Sequence, residues 1–418
     1  MRAEVAISSV KGAVSAPSSK SAMQRYIAGA LLSNGISQIY SPSFCDDSMA
    51  SIAMAEALGA NVSVSDDLVV VKGGFNPDHE EIFCGESGLA ARMFTPIAAL
   101  HNKMIIINGK GSVLRRPVKM MERPLTDLGV DINSNDGYLP LKIKGPLTGG
   151  EVTADGSVSS QFITGLLMAL PVVQKDSRII VDNLVSKPYI DLTIRILGEF
   201  GIEIINRDYK EFLVIGKQKY VAGNFTVEGD WSGAAFLLVM GAIGGEVDIT
   251  GLDPASAQAD KSILDALSLA GARITLSDKS ISVAKSDLRS FEFDISDCPD
   301  LAPPLVLLGL ACKGTTVIKG AGRLAAKESH RGKTLEASLT SIGARIKNLD
   351  DRIEVEGSVP LQGGEADSHN DHRIAMALAG ASLLSKAPVY INGIECINKS
   401  YPGFISDFIR LGGKITLT

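Results

Sequence analysis

Six copies of one short signature run through this 418-residue chain. Each is a mostly bulky apolar residue, a glycine and then a β-prone run. They are Leu58-Gly59-Ala60-Asn61-Val62, Leu128-Gly129-Val130-Asp131-Ile132, Phe200-Gly201-Ile202-Glu203-Ile204, Ala270-Gly271-Ala272-Arg273-Ile274, Ile342-Gly343-Ala344-Arg345-Ile346 and Leu411-Gly412-Gly413-Lys414-Ile415. The glycines stand 70, 72, 70, 72 and 69 residues apart. Self-similarity at a steady period marks one supersecondary unit used repeatedly. A glycine directly after a periodic apolar segment marks a helix C-cap, where a left-handed residue is wanted.

After the first five glycines the chain reads strand, polar turn, strand, as in Asn61–Val64, Ser65-Asp66-Asp67 and Leu68–Val71. That is a hairpin signal. The sixth glycine is followed by Ile415-Thr416-Leu417-Thr418 and no returning strand. The chain opens with an orphan strand, Ala3–Ser8, so that strand is expected to complete the last repeat.

A small polar or acidic residue also precedes an apolar helix six times, again about 70 residues apart. These starts are Ser21, Ser87, Ser159-Ser160-Gln161, Asp230, Asp300 and Asp371. Ser21 reads as the first helix N-cap. Each unit is then strand, buried helix, strand, amphipathic helix, hairpin. The spacing predicts an α/β (α+β repeat) fold of two similar domains, each of three βαβαββ units. One domain spans 13–228, and the other spans 1–12 with 229–418. Parallel buried helices bring their N-termini to one face, and free N–H groups there attract anions. Two such faces across a cleft predict an active site between the domains. Six capped helices pointing into solvent would carry the same residues, but the regular spacing argues against that reading.

Composition narrows the function classes. A net charge of −6 gives no general attraction to nucleic acid. The five cysteines (45, 84, 298, 312 and 396) form no C-x-x-C pair, which points to a reducing compartment and away from zinc. The first residues lack a signal-peptide core. The longest apolar run, Leu301 to Cys312, is too short to span a bilayer. A soluble cytoplasmic protein is expected, with no cofactor or metal and no membrane partner.

Chemistry-bearing residues cluster at the helix starts. Lys20 sits beside the first, and Arg25 lies one turn after Ser21. Gly85-Glu86-Ser87-Gly88 permits close approach of an anion to backbone, or is simply a turn. Arg92 follows on that helix. Leu114-Arg115-Arg116-Pro117 offers two guanidinium groups, suited to phosphate or carboxylate, or a solvated basic loop. Asp155-Gly156-Ser157-Val158-Ser159-Ser160-Gln161 carries more hydroxyls than one cap needs. Ser186-Lys187-Pro188-Tyr189 enters another helix. Asp300 is either a cap or a functional carboxylate. Lys327 and Arg331 are spaced to share a helix face, where like charges repel unless an anion lies between them. Glu328 beside such an anion suits a general acid. Asn370-Asp371-His372-Arg373 and Lys399 add two cations. No G-x-S-x-G, Walker or H-E-x-x-H motif occurs. The surplus of cations facing small-residue loops suits small, multiply charged anions and catalysis by electrostatics and proton transfer.

Taken together, Ser19-Lys20-Ser21 with Arg25, Asp155-Gly156-Ser157 with Ser159-Ser160-Gln161, Ser186-Lys187-Pro188-Tyr189, Lys327-Glu328 with Arg331, and Asn370-Asp371-His372-Arg373 resemble the 5-enolpyruvylshikimate-3-phosphate (EPSP) synthase family. The resemblance covers essentially the whole length. It implies transfer of the enolpyruvyl group of phosphoenolpyruvate to the 5-hydroxyl of shikimate 3-phosphate, with loss of phosphate and no metal. It implies that Lys20, Ser21, Arg25, Ser159, Ser160, Gln161, Ser186, Asp300, Arg323 and Lys327 hold shikimate 3-phosphate. Lys20, Gly88, Arg116, Gln161, Arg331, Arg373 and Lys399 would hold phosphoenolpyruvate. Asp300 would deprotonate the attacking hydroxyl, Glu328 would protonate the methylene carbon, and Lys20 would touch both substrates. Arg323 stands where many members carry Asn, and Glu86-Ser87 and Leu89 replace the commoner Asn-Ala and Thr around Gly88. A monomer is expected. The rival within the fold is UDP-N-acetylglucosamine enolpyruvyl transferase, which usually has Lys-Asn in place of Lys20-Ser21 and a reactive Cys in the loop matching Asn108–Pro117. A non-catalytic anion-binding relative is the rival of another class.

Overall fold

The computed structural model describes all 418 residues, and the chain divides into two compact units. One is Ser18–Val227; the other joins Met1–Pro17 to Glu228–Thr418. The change of unit at 17/18, rather than at the expected 12/13, has a simple cause. The strand Val10–Ser15 pairs in parallel with Gly245–Thr250 along its whole length, so residues 13–15 stay with the C-terminal half.

Each unit contains three four-stranded sheets of one design. In the sheet of Asn224–Thr226, Ile36–Tyr40, Leu68–Lys72 and Asn61–Ser65, the first pair is parallel and the next two pairs are antiparallel. The strand that opens this sheet lies 184 or more residues beyond its partner, since residues 224–226 pair with residues 38–40. The last sheet closes the chain on itself. Arg2–Ala6 lies between Val389–Asn392 and Lys414–Leu417, antiparallel to both, with Ala3 opposite Ile391 on one side and Leu417 on the other. The orphan N-terminal strand therefore supplies the missing hairpin partner.

The repeat glycines do what their position requires. All six have positive φ, from +77° at Gly201 to +112° at Gly59. In each copy the residue after the glycine donates its N–H to the carbonyl five residues back. Val130 N to Leu125 O and Ile202 N to Leu197 O are both 3.0 Å. This 6→1 closure satisfies helix-end carbonyls that would otherwise be orphaned.

Six buried helices form the interior: Lys20–Leu32, Gly88–Ala98, Gln161–Ala169, Trp231–Gly244, Ala302–Ala311 and His372–Ala381. They are apolar nearly all round, and Trp231 to Ile243 are all buried. Gly88–Ala98 and Gln161–Ala169 pack closely, for a Cβ on Gly165 would lie 2.7 Å from the Met93 carbonyl oxygen. No helix is long and apolar enough to cross a membrane.

The caps divide by unit. Ser19, Ser87 and Ser160 start the three buried helices of one unit. In the other, Asp230 and Asp371 are the N-caps, and Asp300 lies in the 3-10 turn leading into Ala302–Ala311. Ser19, not Ser21, is the first cap; its Oγ accepts from Ala22 N at 3.3 Å, and Ser21 belongs to the first turn.

Candidate active site

In the unit Ser18–Val227, neutral caps leave the helix N-termini to cations and hydroxyls. Lys20, the first residue of its helix, places Nζ 2.9 Å from Asp47 Oδ2. Arg25 is buried and bonded wholly to neutral oxygens. Its Nη1 donates to Ser21 O at 2.7 Å, Nε to Thr193 Oγ1 at 2.9 Å and Nη2 to Tyr189 O at 3.2 Å. Burial without a carboxylate among those partners pulls its acid down to about 10. Tyr189 and Thr193 belong to the helix that follows Ser186, so Arg25 ties the first helix start to that loop. Ser186 is buried, in the left-handed region at φ +57°, and makes no cap bond.

The Arg116 guanidinium lies against Gly88. A Cβ there would lie 2.3 Å from Arg116 Nη1 and 3.4 Å from Arg92 Nη1. Arg116 is buried, whereas the Arg123 side chain is 92% exposed and pairs with Asp127. Arg92 donates to Gln161 Oε1 at 2.8 Å and to the Pro117 carbonyl at 3.0 Å. It thus joins the 116–117 loop to the third helix start. Ser159 Oγ accepts from Gln161 N at 3.2 Å, and Ser160 is buried beside it. Ser157 Oγ donates to Asp155 Oδ2 at 2.8 Å.

In the other unit the helix starts are acidic, and cations gather on them. Asp300 Oδ1 accepts from Arg331 Nη1 at 2.8 Å and Lys327 Nζ at 3.1 Å; Oδ2 accepts from Arg373 Nη2 at 3.2 Å. Burial alone would raise its acid, but Arg373, Lys327 and Arg331 together hold it well below the usual carboxylate range. Burial lowers the Lys327 ammonium, with Asp300 opposing. Arg331 is fully buried. Its Nε lies 2.9 Å from Asp371 Oδ2, and its Nη2 reaches Glu328 Oε2. Burial works against its charge, yet Asp371, Glu328 and Asp300 raise its acid further. Lys399 Nζ donates to Asn370 O at 2.9 Å, and Arg323 Nη1 donates to Ser296 O.

Two expectations change here. The helix begins at Arg331, so Lys327 and Glu328 lie in the turn before it and share no helix face with Arg331. The anion between the two cations is a side chain of the protein, Asp300. Asp47, Arg92 and Asp371 were missed as partners. Asp47 reads in sequence as an ordinary first-turn acid, and Asp371 as a cap. Only Arg92, a cation on a buried helix, carried a signal.

The family model for EPSP synthase (3-phosphoshikimate 1-carboxyvinyltransferase) matches residues 5–408. A 3-phosphoshikimate 1-carboxyvinyltransferase of Clostridium perfringens is 40% identical over 411 residues, covering 97% of each chain. One from Clostridium novyi is 39% identical, covering 98% of this chain and 97% of its own. The solved EPSP synthase of Acinetobacter baumannii superposes with a TM-score of 0.85 over both whole chains at 24% identity, which speaks for the fold. On this evidence the chain belongs to the EPSP synthase (3-phosphoshikimate 1-carboxyvinyltransferase) family.

Proposed function

We propose that this enzyme transfers the enolpyruvyl group of phosphoenolpyruvate to the 5-hydroxyl of shikimate 3-phosphate with the side chains described above. The reaction follows from family membership over nearly the whole chain. The nucleotide-sugar alternative is not favoured, since the family model and the relatives carry the shikimate name. The step belongs to the shikimate pathway of aromatic amino-acid biosynthesis.

Asp300 is the base. It removes the proton of the 5-hydroxyl while that oxygen bonds to the carbon bearing phosphate. Glu328 is the acid and gives its proton to the methylene carbon, making the neighbouring carbon cationic enough to be attacked. Arg331 reaches Glu328. An incoming phosphoenolpyruvate anion that draws Arg331 away leaves Glu328 able to hold a proton. Arg331, Arg373 and Lys399 from one unit and Lys20, Gly88, Arg116 and Gln161 from the other are read as serving phosphoenolpyruvate. Lys20, Ser21, Arg25, Ser159, Ser160, Gln161, Ser186, Asp300, Arg323 and Lys327 serve shikimate 3-phosphate. The two sets act on one pair of substrates and stabilise the tetrahedral adduct by charge. The observation that carries this reading is the array of three cations within 3.2 Å of Asp300, to which a substrate phosphate or carboxylate is matched.

We read the protein as a cytoplasmic monomer, which its five buried free thiols and the closure of its last sheet by its own N-terminus support. The test of the reaction is phosphate release from phosphoenolpyruvate with shikimate 3-phosphate against the same assay with UDP-N-acetylglucosamine. Release with the sugar alone overturns the reading.

A further inference from the structure

The hairpin formed by Ile204–Arg207 and Glu211–Val214 turns on a residue that its shape does not favour. Lys210 N donates to Arg207 O at 3.0 Å, and the two central residues, Asp208 and Tyr209, stand at φ +53° and +59°. Such a turn wants Asn, Asp or Gly at its centre, because a Cβ is strained at positive φ. Asp208 meets that demand and Tyr209 does not. The Asn206 side chain braces it, with Oδ1 accepting from Tyr209 N at 2.9 Å. A bulky residue held in the left-handed region points to work done by its side chain.

That side chain is half-buried against the start of the helix Lys187–Glu199. Tyr209 Oη donates to the Asp191 carboxylate, 2.9 Å from Oδ1 and 3.0 Å from Oδ2. Lys187 Nζ lies 5.7 Å from the centre of the Tyr209 ring, within cation–π range. Lys187 and Asp191 are four residues apart and share one face of the helix. Tyr189 and Thr193 stand about half a turn round from them. Arg25 holds that second face, through the Tyr189 carbonyl at 3.2 Å and Thr193 Oγ1 at 2.9 Å. The first turns of this helix are thus gripped from two sides, by Arg25 and by Tyr209. Ser186 stands immediately before them at φ +57°, and its side chain makes no cap bond. The loop takes its place from these two holds rather than from a cap.

We propose that Tyr209 is a positioning residue for the loop Ser186–Tyr189: it ties down the helix that follows, through Asp191 and Lys187, so that Ser186 stands ready for shikimate 3-phosphate. The inference rests on the reading of Ser186 as a ligand of that substrate. A loop already set in place loses less freedom when the substrate binds, and the difference shows as affinity. Tyr209 itself contacts neither substrate in this scheme. Its effect falls on shikimate 3-phosphate and leaves phosphoenolpyruvate and the proton transfers untouched.

The test compares Tyr209→Gly, Tyr209→Phe and Ser186→Ala with wild type, all as full-length enzyme. Glycine suits the positive φ of the turn but removes both ties. Phenylalanine keeps a ring beside Lys187 and loses only the bond to Asp191. The readouts are Kd for shikimate 3-phosphate by isothermal titration calorimetry, KM for phosphoenolpyruvate, kcat and the unfolding midpoint. Tyr209→Gly should raise Kd about tenfold and Tyr209→Phe about threefold, with kcat and KM for phosphoenolpyruvate within about twofold of wild type. The midpoint of Tyr209→Gly should stay within about 3 °C of wild type, because relief of the strained turn offsets the lost ring contacts. An unchanged Kd in Tyr209→Gly overturns the proposal. So does a rise in Kd matched by equal losses in kcat and in KM for phosphoenolpyruvate, the mark of a fold loosened throughout. If Tyr209→Gly does not fold, Tyr209→Phe decides by the same Kd. Ser186→Ala tests the reading beneath the proposal. If it leaves Kd unchanged, the loop does not hold shikimate 3-phosphate and both fall; if it raises Kd and Tyr209→Gly does not, only the proposal falls.

Discussion

Lys20 Nζ lies 2.9 Å from Asp47 Oδ2, with both side chains largely closed to solvent. A lysine ammonium rides on a flexible stem, and a strong tether fixes where it stands. If Lys20 contacts both substrates, Asp47 sets where it stands. Asp47→Asn should lower kcat/KM for phosphoenolpyruvate roughly tenfold while moving the unfolding midpoint by only a few degrees. Steady-state kinetics beside a thermal melt checks this; unchanged kcat/KM would show that Lys20 finds its place unaided.

At Gly88 a single methyl group would meet a proposed phosphoenolpyruvate ligand. A Cβ there would stand 2.3 Å from Arg116 Nη1, the far end of a side chain that can swing aside. Gly88→Ala should therefore fold normally and bind shikimate 3-phosphate as before. The displaced guanidinium should raise KM for phosphoenolpyruvate by about tenfold or more. Equal KM values for the two proteins would remove Arg116 from the site.

The N-terminal strand is an inner strand of its sheet, with Ala3 and Val5 fully buried. Removing residues 1–6 strips both neighbours of their pairing and exposes two edges. The cost should be at least about 4 kcal/mol, or roughly 10 °C in the unfolding midpoint of the half that contains 228–418. Calorimetry of the truncated chain measures it, and an unshifted melt would contradict the closure argument.

Asp300 and Asp260 should respond to pH with opposite signs. The Asp300 acid is held below its ordinary value, so the stability it adds is complete above about pH 4 and is lost as pH falls through its own lower value. The acid of Asp260, buried in the turn Ala259–Ser262, is raised by that burial to about 6, so its penalty is full above pH 6 and is relieved as pH falls toward 4. At pH 7, Asp300→Asn should destabilise by about 3 kcal/mol, because it leaves three cations around a neutral group. It should also lower kcat by 100-fold or more. Chemical denaturation at pH 7 and at pH 4.5 separates the two carboxylates. An Asp300→Asn enzyme as stable as wild type at pH 7 would mean that the cations find other partners.

Much of the architecture is legible in the chain because repetition reinforces weak local signals. One glycine after a leucine says little, but six at a period near 70 specify six helix ends, and all six close in the same way. The orphan strand was legible by subtraction, as the only partner left for Lys414–Leu417. Caps were less so. Ser18, Ser19 and Ser21 are all competent N-caps, and only the geometry selects Ser19. The contacts of the site were least legible. Lys327 and Arg331 called for an anion, but Asp300 lies 27 and 31 residues away in sequence, and nothing local names it. The same holds for Arg92 with Gln161, 69 residues apart. Burial is equally silent in sequence, and burial is what distinguishes Arg116 from Arg123 and makes Asp260 unlike an ordinary surface acid.

The most direct test of the account follows hydrogen at the methylene carbon. With a proton from Glu328, the CH2 of phosphoenolpyruvate becomes a methyl group in the tetrahedral adduct and loses one hydrogen when phosphate leaves. Turnover with shikimate 3-phosphate in D2O should therefore place deuterium in the vinyl group of the product, read by proton NMR or mass spectrometry, as phosphate is released. Glu328→Gln should lower both turnover and deuterium uptake by 100-fold or more. Phosphate release with no deuterium in the vinyl group, or full deuterium uptake in Glu328→Gln, would contradict the assignment of Glu328 as the acid and the addition–elimination course built on it.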